Sequence, residues 1–167
     1  SARDLHIKTC RLVGEWKGEF RAENVSGLFS TTVPSNFNVT RTNNQPPVIT
    51  DIIIIPDSTK VNIPAVLIFM VTATDPNGAC DIKRVFYTGF QPNGSSLTPH
   101  NLYDDGNCCP VEGTSATSGD STANDSKFTR LLVGPPNQLG YYRYYIKAVD
   151  RSNDTSNVLS DSIYVYP

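Results

Sequence analysis

The chain of 167 residues is long enough for one well-formed hydrophobic core and too short for two complete domains of average size. Its formal net charge is −2, so no basic surface is expected to attract nucleic acid. The longest apolar run, PAVLIFMV at 64–71, is far too short to cross a bilayer. We therefore expect neither a nucleic-acid partner nor membrane insertion. Thr, Ser, Asn, Val, Ile and Tyr recur between Gly and Pro residues, a composition typical of strands and turns, which predicts an all-β protein.

The first predicted element is a β-hairpin that recurs near the C-terminus. Shifted by 126 residues, GEWKGEFRAENVSGLFSTTVPSNFNVT (14–40) aligns without a gap on GYYRYYIKAVDRSNDTSNVLSDSIYVY (140–166). Both copies have two alternating runs around a polar loop, which is the pattern of a hairpin. We interpret residues 1–44 as the terminal hairpin of an incomplete preceding module and residues 45–167 as a complete module of the same kind, so the chain is expected to be a fragment of a tandem array. The segment RTNNQPP (41–47) reads as a short linker.

An isolated two-stranded hairpin is marginally stable in water and would expose Trp16, Phe20 and Phe37. We therefore expect the hairpin to pack on the second module or to pair with another copy of the chain.

Seven strands are predicted in the second module, with Gly, Pro, Asn and Asp between them. This number of short strands predicts a sandwich of two antiparallel sheets, a seven-stranded Greek-key fold. The predicted strands are Val48–Ile55, Ala65–Thr74, Ile82–Phe90, Leu97–Tyr103, Phe128–Leu132, Tyr141–Asp150 and Asp161–Tyr166.

The sixth of these strands is rich in tyrosine. Alternation places Tyr142, Tyr144 and Ile146 on one face, which we expect to be core, and Tyr141 and Tyr145 on the other. The tyrosines are interpreted either as packing residues with a bonded hydroxyl or, for Tyr141 and Tyr145, as a carbohydrate-stacking platform.

The run GYYRYYIKAVD, its polar loop and the last strand resemble the closing strands of fibronectin type III and related bacterial immunoglobulin-like modules. QPPVITDIIIIPD followed by VTATDPNG resembles their opening strands, and LYDDGN...SGDSTANDSKFTR is similar to a DDG...GD...ANDG segment of such modules. Cys108 and Cys109 interrupt that segment, and Ser126 stands where the family has Gly. The resemblance covers 45–167 and part of 1–44, and it implies a module of a secreted or cell-surface multidomain protein.

Four cysteines lack the CxxC spacing of zinc or thioredoxin-like sites, so disulfides and an oxidising, extracellular setting are favoured over free thiols. The strand count places Cys80 near Cys108 and Cys109, so one of these is expected to bridge to Cys80 and the other to Cys10. A bridge between the two adjacent cysteines is the alternative.

The same end of the sandwich is expected to collect seven carboxylates. They are Asp75, Asp81, Asp104, Asp105, Asp120, Asp125 and Asp150. One hypothesis is a calcium site with Asp104, Asp105, Asp120 and Asp125 as ligands, because Ca²⁺ prefers oxygen ligands from flexible loops. The alternative is that these Asp residues cap turns by accepting hydrogen bonds from backbone amides, with no cofactor.

No GxSxG, HExxH, P-loop or GxGxxG motif is present, and neither His6 nor His100 lies near a nucleophile and an orienting acid in sequence. We therefore predict no enzymatic activity. Two functions remain: a structural or spacer module that presents neighbouring domains of the same polypeptide, or an adhesion module whose loops or exposed tyrosines bind a glycan or a protein.

Overall fold

The computed structural model describes residues 13–111 and 116–167 of the chain, and these residues form ten strands. Among these described residues, one 3₁₀ turn lies at Ala79–Asp81. Within the described ranges, no helix has the length and apolar character needed to span a bilayer. The strands are β1 (Gly14–Phe20), β2 (Val33–Val39), β3 (Val48–Ile55), β4 (Ser58–Lys60), β5 (Ala65–Thr74), β6 (Ile82–Phe90), β7 (His100–Leu102), β8 (Lys127–Gly134), β9 (Gly140–Asp150) and β10 (Leu159–Tyr166).

Strands β3 to β10, within the residues predicted as the second module (45–167), form a sandwich of two sheets. One sheet has the order β3-β5-β8 and the other β4-β10-β9-β6-β7. The chain crosses between the sheets from β3 to β4, from β4 back to β5 and from β5 to β6. It crosses again from β7 to β8 and from β8 to β9. This distribution of strands is that of an immunoglobulin-like, fibronectin type III-like sandwich, which confirms the predicted fold class. All seven predicted strands are present, and β4 is an additional short strand that pairs in parallel with β10.

The bounds of β3, β5 and β6 agree with the predicted ones residue for residue, whereas β7 is shorter than the predicted Leu97–Tyr103. Leu97 donates its N–H to the carbonyl of Gly89 at 2.8 Å in the loop before β7. Tyr103 exchanges two backbone hydrogen bonds with Thr129 of β8, in the other sheet. The strand therefore ends at Leu102 because the chain begins to cross to the opposite sheet.

Alternating side chains of the two sheets form the core. On β5, Leu67, Phe69 and Val71 are buried, and on β9 the predicted core residues Tyr142 and Tyr144 are buried as well. This confirms the predicted assignment of the two faces of β9.

Three aromatic rings join the sheets at the centre of this core. The ring of Phe69 in the first sheet stacks on that of Tyr87 in the second, with 4.5 Å between centroids. The Tyr144 ring meets Phe69 edge-on at 4.9 Å. Such contacts add to the stabilisation that burial itself provides.

The N-terminal hairpin has the same strand register as the β9–β10 hairpin. Trp16 faces Phe37 in the first hairpin, and Tyr142 faces Ile163 in the second. All seven residue pairs of β1 and β2 coincide with pairs of β9 and β10 at the offset found in the sequence. The two hairpins are therefore geometrically equivalent along their whole paired length.

Their turns are equivalent too, because side chains at matching positions accept the same backbone hydrogen bonds. A serine hydroxyl and an Asn or Asp oxygen hold each turn. The matching bonds run from Ala22 N to Ser30 Oγ (2.9 Å) and from Ala148 N to Ser156 Oγ (2.8 Å), and from Leu28 N to Asn24 Oδ1 (3.0 Å) and from Asp154 N to Asp150 Oδ1 (2.8 Å).

The two hairpins differ in burial. Ile146 and Ile163 are fully buried in the sandwich. The equivalent residues of the first hairpin are exposed: Phe20, which matches Ile146, is 63% exposed, and Phe37, which matches Ile163, is 53% exposed. The rings of Trp16 and Phe37 stack in parallel with 6.4 Å between centroids. Phe20 and Phe37 are therefore not covered by the second module. The predicted docking of the hairpin, on that module or on another copy of the chain, stays a prediction.

Candidate functional site

The pairing of the strands brings three loops to one end of the sandwich, as the strand count predicts. Ile82 at the start of β6 pairs with Asp150 at the end of β9, and Thr72 near the end of β5 pairs with Lys127 at the start of β8. Two separate groups of carboxylates lie at this end.

The first group contains three of the four predicted calcium ligands. Asp104, Asp120 and Asp125 each offer a carboxylate oxygen within 4.8 Å of the others. The fourth, Asp105, does not join them, because its Oδ1 accepts hydrogen bonds from the Ser118 hydroxyl at 2.5 Å and from a backbone amide. Asp105 thus caps a turn and lies outside this group, and its role as a calcium ligand stays a prediction.

Backbone amides occupy the oxygens of this first group. Both Asp104 oxygens accept N–H groups, from Asp125 at 3.1 Å and Ser126 at 2.9 Å. Asp120 Oδ2 accepts the Gly106 N–H at 2.7 Å. Burial raises the pKa of Asp104, and these amide hydrogen bonds partly oppose the rise. The geometry is that of capped turns.

The second group was not predicted as a set of ligands. Asp75 follows β5, Asp81 ends the 3₁₀ turn and Asp150 ends β9, and their carboxylate oxygens also lie within 4.8 Å of one another. Asp81 and Asp150 are fully buried, and Asp75 is nearly so. We call these three residues the buried triad.

The buried triad differs from the first group in its hydrogen bonds. Neither carboxylate oxygen of Asp81 accepts a hydrogen bond, and Oδ2 of Asp75 accepts none. By contrast, Asp150 Oδ1 accepts the Asp154 N–H at 2.8 Å, and its Oδ2 accepts Asn44 Nδ2 at 2.5 Å. Buried carboxylate oxygens without partners are costly, because water no longer solvates their charge.

The same burial affects the pKa of two carboxyl groups in the triad. Burial raises the pKa of Asp75 and of Asp81 above the ordinary value of 3.8, and repulsion from Asp150 adds to the rise. A carboxyl with a raised pKa in the fold stabilises the fold below its ordinary pKa and loses that contribution as pH rises through the raised value. Ionisation of Asp75 and Asp81 as pH rises through these raised pKa values therefore lowers the free energy of unfolding.

Two side chains of the linker reach the buried triad. Arg41 Nη2 lies 3.6 Å from Asp81 Oδ2, and Asn44 hydrogen-bonds to Asp150 and Asp154. The sequence predicted RTNNQPP only as a short linker. Its polar residues, which precede two prolines, were the feature of the sequence that could have indicated this contact.

Cys108 and Cys109 form a disulfide with each other. The predicted bridge from Cys80 to one of them is therefore wrong. Cys80 is itself disulfide-bonded. The predicted bridge from Cys10 to the other member of the pair involves a residue outside the described ranges, and Cys108 and Cys109 already hold each other.

The loop after β7 explains why the predicted bridge does not form. Gly119 donates its N–H to Asn107 Oδ1 at 2.9 Å, and Pro110 forms an isolated β-bridge with Thr117. These interactions fold the loop on itself. A cleft of about 340 Å³ is lined by Cys80 together with Asp104 and Asp105. Cys80 and the start of the loop therefore both border this cleft.

The outer face of the five-stranded sheet carries the two predicted platform tyrosines, both exposed. Tyr145 lines a groove of about 670 Å³ with Phe86, Phe90 and other residues, and its ring meets that of Phe90 edge-on at 5.7 Å. Tyr141 instead contacts the ring of Tyr164 at 5.0 Å. The two tyrosines thus share a face but belong to different aromatic pairs.

No protein-family model and no curated protein matches this chain. Among solved structures, it is similar to a PKD domain of an M14-like peptidase from a Thermoplasmatales archaeon, at 15% identity and a TM-score of 0.43, over 75% of this chain and 100% of that one.

It is also similar to a CARDB domain from Pyrococcus furiosus, at 14% identity and a TM-score of 0.40, over 78% of this chain and 95% of that one. A third similar structure is that of fibronectin(III)-like modules of Clostridium thermocellum CbhA, at 15% identity and a TM-score of 0.40, over 92% of this chain and 63% of that one. These likenesses are weak, and the fold assignment depends on the strand order and sheet pairing of this chain.

Proposed function

We propose that this chain is a non-catalytic structural module of an extracellular protein, part of an array of immunoglobulin-like sandwiches that space and present neighbouring domains. The observation that carries the proposal is the equivalence of the two hairpins in register and in turn hydrogen bonds. The β9–β10 hairpin closes a sandwich, so an equivalent hairpin in front of it is the closing hairpin of another sandwich.

The exposure of the first hairpin supports the same interpretation. In a complete sandwich, the positions of Phe20 and Phe37 would face the core, as Ile146 and Ile163 do. An apolar face of this kind is a site that other strands cover. The remaining strands of a preceding module are the partner that matches its shape.

Cysteine chemistry supports an extracellular setting. Cys108 is disulfide-bonded to Cys109, and Cys80 is disulfide-bonded as well. Disulfides persist in oxidising compartments and are rare in the cytosol.

The proposal is tested by the exposed hairpin face. We expect the 167-residue chain to be monomeric at micromolar concentration and to bind the hydrophobic dye ANS through this face. A Phe20→Ser/Phe37→Ser variant should lose most of the dye fluorescence, because it removes two exposed phenylalanine rings from this face. Light scattering coupled to size exclusion and dye titration measure the two quantities.

The matched control is Val66→Ser/Val133→Ser, a cross-strand pair exposed on the outer face of the first sheet. It should leave the dye fluorescence nearly unchanged. A stable dimer that only the hairpin variant dissociates would mean that a second copy covers this face, and the array interpretation would then lose its support.

A second function, recognition of a glycan, is favoured by the groove on the outer face. Its walls combine Phe86, Phe90 and Tyr145 with the cationic residues Arg143 and Lys147. Exposed aromatic rings stack on sugar faces. If this groove binds a glycan, Tyr145→Ala should abolish binding on a glycan array and Tyr141→Ala should not, since Tyr141 is not among the lining residues. An array without any signal for the unmodified chain would remove this candidate.

A further inference from the structure

We propose that the buried triad of Asp75, Asp81 and Asp150 is a calcium site, with the side-chain carbonyl oxygen of Asn44 as a fourth ligand. This site is distinct from the Asp104, Asp120 and Asp125 group, and the proposal does not depend on the array interpretation.

The first argument is that several buried oxygen atoms have no hydrogen-bond partner. Asp81 is 0% exposed, and its two carboxylate oxygens accept no hydrogen bond. Oδ2 of Asp75 and Oδ1 of Asn44 are also buried without a hydrogen-bond donor. A folded protein satisfies nearly all such atoms. Four oxygen atoms that point away from solvent and lack donors are what a cation would require.

The second argument is that the nearby arginines do not supply the missing partner. Arg41 Nη2 is 3.6 Å from Asp81 Oδ2, which is longer than the 2.7–2.9 Å typical of a charge-assisted hydrogen bond. Arg41 Nε is itself buried without a partner. Arg151 donates its Nε–H to the carbonyl of Cys80. Three carboxylates therefore face the loosely placed guanidinium of Arg41 and that of Arg151, whose Nε–H is already bonded to a carbonyl. Asp154 adds a further negative charge at the rim.

The third argument is size. The three carboxylate oxygens lie within 4.8 Å of one another. Two ligands on opposite sides of Ca²⁺ are separated by about 5 Å, because each Ca–O distance is about 2.3–2.6 Å. Mg²⁺ demands about 2.0–2.1 Å and strict octahedral geometry, whereas Ca²⁺ accepts the more variable arrangement that side chains from three separate loops provide. All four proposed ligand atoms are oxygen, whereas zinc prefers sites with cysteine sulfur and histidine nitrogen.

A cation here would join three segments of the chain. Asn44 belongs to the linker between β2 and β3, Asp75 and Asp81 flank the loop between β5 and β6, and Asp150 begins the turn before β10. Calcium would therefore fix the linker against the second module and set the direction in which the N-terminal hairpin leaves it.

The test is calcium binding by the 167-residue chain after removal of metal with EDTA. Isothermal titration calorimetry with CaCl₂ should give one binding site. The melting temperature should be higher in CaCl₂ than in EDTA. Affinity for MgCl₂ should be at least about tenfold weaker. In NMR spectra, the side-chain amide of Asn44 should shift with the same affinity.

Asp81→Asn is the decisive variant. It removes a buried charge whose oxygens accept no hydrogen bond, so in EDTA it should melt no lower than the unmodified chain, but its calcium affinity should fall by about tenfold or more. The matched control, Asp125→Asn in the other carboxylate group, should leave the affinity within about twofold.

Two further variants keep the test decisive if Asp81→Asn does not fold. Asp75→Asn should weaken calcium binding, and Arg41→Gln should strengthen it, because the guanidinium competes with the ion for Asp81. The proposal is overturned if the unmodified chain gives no calcium-dependent heat, or if Asp125→Asn rather than the triad variants abolishes it.

Discussion

Phe69→Ala should lower the free energy of unfolding by about 3–5 kcal/mol, the largest effect we expect from a single substitution in this chain. Phe69 is fully buried on β5 and joins the two sheets through its contacts with Tyr87 and Tyr144. Its removal would leave a cavity where the sheets meet, and neither ring is placed to fill it without losing its own contacts. Urea unfolding followed by fluorescence measures the change.

The control for this prediction lies on the same strand. Val66 is 50% exposed on the outer face of β5, so Val66→Ala should change the stability by no more than about 0.5 kcal/mol. A loss of less than about 1 kcal/mol for Phe69→Ala would contradict a single shared core between the sheets.

Asn157→Ala should cost about 2–3 kcal/mol, although Asn157 is a polar, exposed residue in the loop before β10. Its side chain takes the place of a strand neighbour for Ile49 on β3: Oδ1 accepts the Ile49 N–H, and Nδ2 donates to the Ile49 carbonyl, each at 2.9 Å. Ile49 is buried, so both backbone groups would lose partners that water does not replace. Chemical denaturation again gives the value.

Asn157→Asp separates the two bonds. A carboxylate keeps the acceptor for the Ile49 N–H and loses the donor to the carbonyl, so about half of the loss is expected. Ser160→Ala, on the exposed face of β10, is the control and should be nearly neutral. Equal stability of Asn157→Ala and Ser160→Ala would show that this side chain does not tie the sheets together.

The equivalence of the two hairpins is a feature that the sequence predicted. At the 126-residue offset, Trp16 aligns with Tyr142 and Phe37 with Ile163, which indicates two hairpins of one pattern. Side chains alternate with a period of two, so a shift of one residue would turn every apolar side chain to the other face. The structure has that register in both hairpins.

Cysteines illustrate the limit. The sequence placed Cys80 and the pair Cys108–Cys109 at one end of the fold, but the bridge predicted from Cys80 to this pair is wrong, and the pair is bonded to itself. That choice depends on how the loop after β7 folds on itself, through contacts such as that of Asn107 with Gly119, and such contacts leave no periodic signal.

The alternation of apolar and polar residues by itself determined the all-β class, the positions of the strands and the inward face of β9, since burying one face of each strand is the dominant favourable contribution to folding. Only the tertiary structure decided which acidic residues share a site. Asp75, Asp81 and Asp150 are far apart along the chain, and Asn44 comes from a segment interpreted as a linker. Hydrogen-bonding partners and the loss of solvent at a carboxylate depend on the packing of three separate loops, and local sequence does not encode that packing.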